Sequence, residues 1–291
     1  MDFACSDLAT ECGIGEGEGV RVQRAEAGGC DITRVRIGSV EAAARFGKPQ
    51  GKYVTVECGS ICELDAQGAE HVRCALAVEV RELAQKMCGK RICPDFSLLV
   101  VGLGNADMTA DALGPETVKR LCVTRHLRQK GEALFLTELC EIAAVTPGVT
   151  GQTGVDAAEL VRALVQETGV DLVVAVDALC ARSPARLAST VQISDTGIQP
   201  GAGVGNARRA LTRESIGVPV MAMGIPTVIR GSTLVSDTLA QAGYAEIGRE
   251  ISVQAGGQEG LLVAPKEIDL IISKGGIFLA QTLEKAFRVE G

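Results

Sequence analysis

The sequence predicts an α/β protein, with a mostly parallel sheet flanked by helices, and three observations predict it. Two short runs, Ser97 to Val101 and Asp171 to Val176, are continuously apolar, as strands buried on both faces must be. Apolar residues recur at helical spacing between and after these runs, so strands and helices alternate along the chain. Aromatic residues make up only 3% of the 291 residues and Trp is absent, so Val, Ile, Leu and Ala must fill the core. That composition suits parallel strands under Ala-rich helices. Neither an internal repeat nor a low-complexity linker interrupts the chain, and residues 1–291 read as one domain with loop insertions.

Each element follows in order. The first thirty residues, rich in Gly and Glu, read as extended or loosely ordered. Lys52 to Glu57 alternates as a half-buried strand does. From Ala66 to Met87, residues Val72, Leu76, Val80, Leu83 and Met87 lie at helical spacing, with Gly89 as the stop. Ser97 to Val101 runs into Gly102-Leu103-Gly104-Asn105, the pattern of a central strand opening into a tight loop. A helix is expected through Val118 to Leu127, and another over Asp156 to Thr168, stopped by Gly169. Asp171 to Val176 is the second buried strand and ends on Asp177. Thr190 to Ser194 and Val218 to Gly224 read as further strands. Ser236 to Ala242 opens one helix, and Lys266 to Phe287 contains the last, with a break at Gly275-Gly276.

Charge and cysteine usage narrow the class. A net charge of −7 and a pI near 5.1 disfavour direct nucleic-acid binding, which needs clustered Lys and Arg. No apolar run approaches the ~20 residues that span a bilayer. The start, MDFACSDLATECG, has neither the basic n-region nor the apolar h-region of a secretory signal, so a soluble cytoplasmic protein is expected. The eleven cysteines are odd in number and include no CxxC, and only His71 and His126 could add imidazole to a zinc site. They read as reduced thiols used as small core residues.

Ligands of open α/β sheets bind beyond the carboxyl ends of the strands. Asp177 directly follows one buried strand, and Asp111 lies seven residues beyond Gly104, in the loop after the other. If those strands are neighbours, the two carboxyl groups can face one another. At close range one keeps its proton near neutral pH, so that one can donate to a carbonyl oxygen while the other takes a proton from water. On spacing alone, helix capping by Asp111 ahead of Leu113 explains that residue more readily. No HExxH, GxSxG or GxxxxGK[ST] occurs, and Asp107 stands where a dinucleotide fingerprint needs its third glycine, so no cofactor is expected. The stretch Ser194 to Arg209, SDTGIQPGAGVGNARR, is either a surface loop or the backbone-lined wall of a peptide groove. Asn105, Asp195, Gly201, Gly203 and Asn206 are the candidate substrate-groove residues.

Several segments together resemble one family, the germination proteases of endospore-forming bacteria. They are Ser6 to Glu11 (SDLATE), VVGLGN, TADALGP, PGVTGQTG, VVAVDALCARS, VQISDTGIQPGAGVGN, GVPVMAMGIPTV and STLVSDTL, which run in the family's order to about Leu239. The resemblance implies an atypical aspartic endopeptidase that degrades small acid-soluble spore proteins during germination. It also implies a fold related to the hydrogenase maturation proteases (phosphorylase/hydrolase-like), a homotetramer in the spore core, and a zymogen activated by loss of an N-terminal propeptide. The family's two catalytic aspartates fall on Asp111 and Asp177. A propeptide-like segment is expected at about residues 1–7, with cleavage near Asp7-Leu8. Gln199 stands where the family usually has His, and Ala110 where it has Pro. Two further readings stay open at this point: a metal-dependent peptidase on the same scaffold, and a non-catalytic α/β protein that binds peptides or nucleotides.

Overall fold

Val20–Ala27 (β1), Cys30–Ile37 (β2) and Gly51–Glu57 (β3) form an antiparallel meander. From residue 20 onward, therefore, the Gly- and Glu-rich start is a paired strand, closed on β2 by the Gly28-Gly29 turn. Strand β2 buries Cys30 and Ile32 against one layer, and Val35 and Ile37 against the other. The remaining strands are Ser97–Gly102 (β4), Glu141–Val145 (β5), Leu172–Ala181 (β6), Thr190–Ser194 (β7), Val220–Arg230 (β8) and Leu262–Val263 (β9). The computed structural model describes residues 6–13, 15–129, 138–201, 208–247 and 261–289.

Across the sheet the strands run β1-β2-β3-β7-β8-β6-β4-β5, with β9 on β8. Three pairings are parallel (β8-β6, β6-β4 and β4-β5) and the other five are antiparallel. The α/β class stands as read, but the parallel character belongs to those four strands and the sheet as a whole is mixed. The link from Ala181 to Thr190 is too short for a helical crossover, so β7 cannot continue the parallel run.

Helices cover both faces. They are Val40–Phe46 (α1), Ala66–Cys88 (α2), Leu113–Arg120 (α3), Arg125–Gln129 (α4), Thr150–Thr153 (α5), Ala157–Thr168 (α6), Arg213–Ile216 (α7), Gly231–Gln241 (α8) and Ile268–Ala286 (α9). Leu98, Val100, Leu172, Val174 and Met223 pack in one core with α2, α3 and α9, while Leu99, Val101, Val173 and Ala175 pack with α6 and α7. By alternation Asp177 faces the α6 side. No described helix is long and apolar enough to cross a membrane.

Several boundaries move from their expected places. The helix expected over Val118 to Leu127 is two, α3 and α4, separated by the extended Leu121. Strand β8 runs on to Arg230, and α8 starts at Gly231 rather than Ser236. Helix α9 is continuous through Gly275-Gly276, where the missing side chains let it lie against Leu113 and Glu116 of α3. Asp65 and Asp156 cap α2 and α6 by accepting from Gly68 N and Ala158 N, at 2.7 and 2.8 Å. Gly89 and Gly169 end the same helices in the left-handed conformation, as the sequence indicates.

Helix α3 lies so close to the sheet that a Cβ on Gly114 would press on Leu103 O and sit 2.5 Å from both Leu103 N and Val176 O. Gly114→Ala is expected to lose about 1–3 kcal/mol of unfolding free energy in a urea titration. Gly151→Ala, with nothing within 4 Å of the added methyl, should stay within about 0.5 kcal/mol of the parent. A parental midpoint in Gly114→Ala would show that α3 can draw back from β4 at no cost.

Candidate active site

Asp177 lies within β6 rather than at its end, because β8 partners the strand past Asp177 as far as Ala181. Its direct neighbour on β8 is Gly224, and the neighbour of Gly224 on β7 is Gln192. These three positions share one face of the sheet. A Cβ on Gly224 would press on Asp177 O and the Leu179 side chain, so the space between the carboxyl and the Gln192 amide stays open.

Asp111 reaches this face on the loop after β4. Leu103 N donates to Val176 O at 2.8 Å, which holds the start of the loop beside β6. Gly104 then turns the chain at φ +111°, and any side chain there would collide with Asp111 O. Asn105 N donates to Asp111 Oδ2 at 2.8 Å, and Thr227 Oγ1 of β8 donates to Ala110 O at 2.8 Å. Asp111 therefore does not cap α3: Ala112 holds the N-cap position with no side-chain bond, and the Asp111 carboxylate ties its own loop instead.

Asp111 and Asp177 line one cavity of about 560 Å³, whose other charged residues are Asp7, Lys48 and Arg208. Burial pushes the Asp177 carboxyl well above the ordinary aspartate value, and the charges of Asp111 and Asp7 push it further. The Ala178 N–H and Arg208 act against that rise. Burial also raises Asp111, opposed by the Asn105 N–H and by Arg208. The two groups thus differ in environment, with Asp177 the better placed to hold a proton and Asp111 the better placed to lose one.

Of the expected groove residues, Asn105 and Gly201 line this cavity, as do Gln199 and Ala110. Asp195 is not among the lining residues: its Oδ1 accepts from Lys52 N at 2.7 Å and ties β7 to β3. Gly203 and Asn206 lie outside the described residues. Asp7 lines the cavity, while Leu8 is fully buried against Leu179, Ala181 and Ile229. The Asp7 N–H donates to Cys180 O and the Asp7 carboxylate accepts from Cys180 N, both at 2.8 Å. Lys48 Nζ donates to Ser6 O and Asp7 O at 2.8 and 3.1 Å. The Gln192 amide donates to Asp7 O and accepts from Ala9 N, both at 2.7 Å.

Sequence reasoning missed Lys48, Gln192, Arg208 and Thr227. Gln192 and Thr227 did leave a signal: each is a polar side chain inside an otherwise apolar strand, where it must find a partner. Lys48 and Arg208 sit in loops that no local pattern distinguishes. Among the described residues, no three of His, Cys, Asp and Glu are grouped as a metal ion would require. The ten described cysteines are all free.

A sequence model of the family described as germination protease matches residues 7–255. A germination protease of Caldanaerobacter subterraneus subsp. tengcongensis is 37% identical, over 93% of this chain and 88% of its own length. One from Clostridium perfringens is 35% identical, over 88% of this chain and 84% of its own. One from Priestia megaterium is 39% identical over 84% of this chain, which spans only 65% of that longer protein. Among solved structures, a NiFe hydrogenase maturation protease from Thermococcus kodakarensis aligns over 70% of this chain and 98% of its own, at 16% identity and a TM-score of 0.35.

The environment of Asp177 sets how stability depends on pH. A carboxyl raised in the folded state binds its proton more tightly there than in the unfolded chain, so its contribution is intact below pH ~3.8 and falls as pH rises toward the folded value. Asp177→Asn, which cannot ionise, should therefore match the parent Tm in acid and exceed it increasingly as pH rises from about 4. Equal Tm values for the two proteins from pH 4 to 8 would refute the raised carboxyl.

Proposed function

The chain belongs to the germination protease family and is a peptidase; from that premise we propose that it is an endopeptidase of the aspartic type, with Asp111 and Asp177 activating water. The observation that supports this reading most directly is two carboxyl groups of unlike environment on one cavity.

The chemistry follows from that difference. The Asp111 carboxylate takes a proton from water as the water oxygen bonds to the scissile carbonyl carbon. The Asp177 carboxyl gives its proton to the carbonyl oxygen, leaving a neutral gem-diol. On collapse the carbon–nitrogen bond breaks, the leaving nitrogen takes the proton from Asp111, and one diol hydroxyl returns its proton to Asp177. Both carboxyl groups end in their starting states.

The same premise extends to small acid-soluble spore proteins as the substrate, to synthesis as a zymogen cut near Asp7-Leu8, to a homotetramer, and to the spore core as the location. The buried Leu8, the Gln192 bonds to Asp7 and Ala9, and the entry of Asp7 into the cavity support that site for the cut, since they place the segment along the face that carries Asp177.

Incubation of the parent, Asp111→Asn and Asp177→Asn with a purified small acid-soluble spore protein tests the reading. Each variant is expected to lose at least about 100-fold in rate while keeping its fold by circular dichroism. Full activity in either would sink the two-aspartate mechanism, and activity lost to a chelator and restored by metal would replace it with a metal-assisted one. The pH dependence is a separate check. Both carboxyl groups are raised, so the acid limb of the kcat/KM profile should lie above 3.8. The profile should bend down at higher pH as the pair loses its last proton.

A further inference from the structure

We propose that Arg208 is a further catalytic residue, whose guanidinium donates to the oxygen of the scissile carbonyl as negative charge develops on it. The inference rests on the two-aspartate reading and adds to it the group that holds that oxygen.

Two cations among the described residues line the cavity, and they do different work. Lys48 is already engaged, with its ammonium on Ser6 O and Asp7 O. The Arg208 guanidinium, half-buried, donates no hydrogen bond to the described residues and forms no ion pair with them. Only its main chain is tied: Arg208 N donates to Pro200 O at 3.0 Å, and Gln199 Nε2 donates to Arg208 O at 3.1 Å. Those two bonds fix the base of the side chain beside the cavity and, among the described residues, leave its five N–H donors without an acceptor. Its charge acts on both Asp111 and Asp177, whereas the cations acting on Asp7 are Lys48 and Arg230.

A guanidinium held open over an acid pair has a limited set of uses. Recognition of an acidic substrate side chain is one, but the Asp7 carboxylate, which lines the cavity beside the acid pair, is met by the Cys180 N–H and by the charge of Lys48 rather than by Arg208. An ion pair that locks the aspartates is another, but among the described residues Arg208 acts on Asp111 and Asp177 only by its charge, with no hydrogen bond to either. What remains is the carbonyl oxygen. It must stand between the water on Asp111 and the proton on Asp177, and it carries charge whenever attack on carbon runs ahead of proton transfer. N–H donors of a cation directed at such charge stabilise it, the more so where bulk water is excluded. Arg208 moves no proton, so the atom balance of the hydrolysis is unchanged.

The test compares the parent, Arg208→Ala, Arg208→Lys and Asp177→Asn on a purified small acid-soluble spore protein, across pH. Removing the cation should shift the acid limb upward, because Arg208 holds Asp111 down, so rates are compared on each protein's own plateau. The other charged groups of the cavity, Asp7, Lys48, Asp111 and Asp177, are the same in both arginine variants. Arg208→Ala is expected to lose roughly 100- to 1000-fold in plateau kcat with KM changed less than about threefold. Added guanidinium ion should recover part of that loss, and Arg208→Lys should fall between. Recovery of full kcat above the shifted limb would mean that Arg208 acts only on the ionisation of Asp111, and would overturn the proposal. A loss confined to KM would do the same, by making it a binding residue. If Asp177→Asn is inactive and Arg208→Ala is not, only the arginine assignment fails; if Asp177→Asn is fully active, the aspartate reading fails first.

Discussion

The site depends on backbone approaching backbone where side chains are missing. Gly114 lets α3 settle onto the end of β4, and Gly104 lets the loop after β4 fold back until its carbonyl neighbours are those of Asp111. Gly224 does the equivalent work on the sheet itself, between Asp177 and Gln192. A methyl group at any of the three would have to displace main chain, which packed interiors resist. The loop carrying Asp111 is therefore pressed against the strand carrying Asp177, and Asn105 N and Thr227 Oγ1 tie it down. Burial of the acid pair follows from that closeness, and the raised Asp177 carboxyl follows from the burial.

The parts of this arrangement legible in the sequence are those that one side chain's surroundings decide. Continuous apolar runs can only be strands buried on both faces, so β4 and the first half of β6 stand out, and with them the two aspartates at their carboxyl ends. Helix stops are legible for the same reason: Gly89 and Gly169 act through bonds within a few residues of themselves. Features set by distant partners were not legible. Strand β6 continues past Asp177 because β8 runs beside it, and nothing within DALCA announces that neighbour. Gly275-Gly276 reads as a break in isolation, whereas its smallness serves the approach of α3. Asp195 shares its stretch with groove candidates, yet Lys52, 143 residues away in sequence, claims its carboxylate. The family resemblance carries the site further than periodicity does, because motifs in order retain the result of long-range packing that a local pattern cannot express.

The same logic explains how the N-terminal segment lies in the cavity. A peptide can join a sheet by main-chain bonds only at an edge, and β7, which underlies this part of the face, is an interior strand whose main chain is already paired with β3 and β8. Residues 7 to 9 cross over that strand and cannot enter its ladder. Gln192 supplies what the ladder cannot, since a primary amide presents one acceptor and donors in nearly the geometry of a peptide unit. It accepts from Ala9 N and donates to Asp7 O, as a neighbouring strand would. An amide that meets main-chain atoms is indifferent to the side chains passing over it. The side chains are held at the flanks, where Cys180 N meets the Asp7 carboxylate and Arg182 N and Ser183 N meet that of Glu11. The segment is thus held by its main chain at Gln192 and by acidic side chains on either side of it.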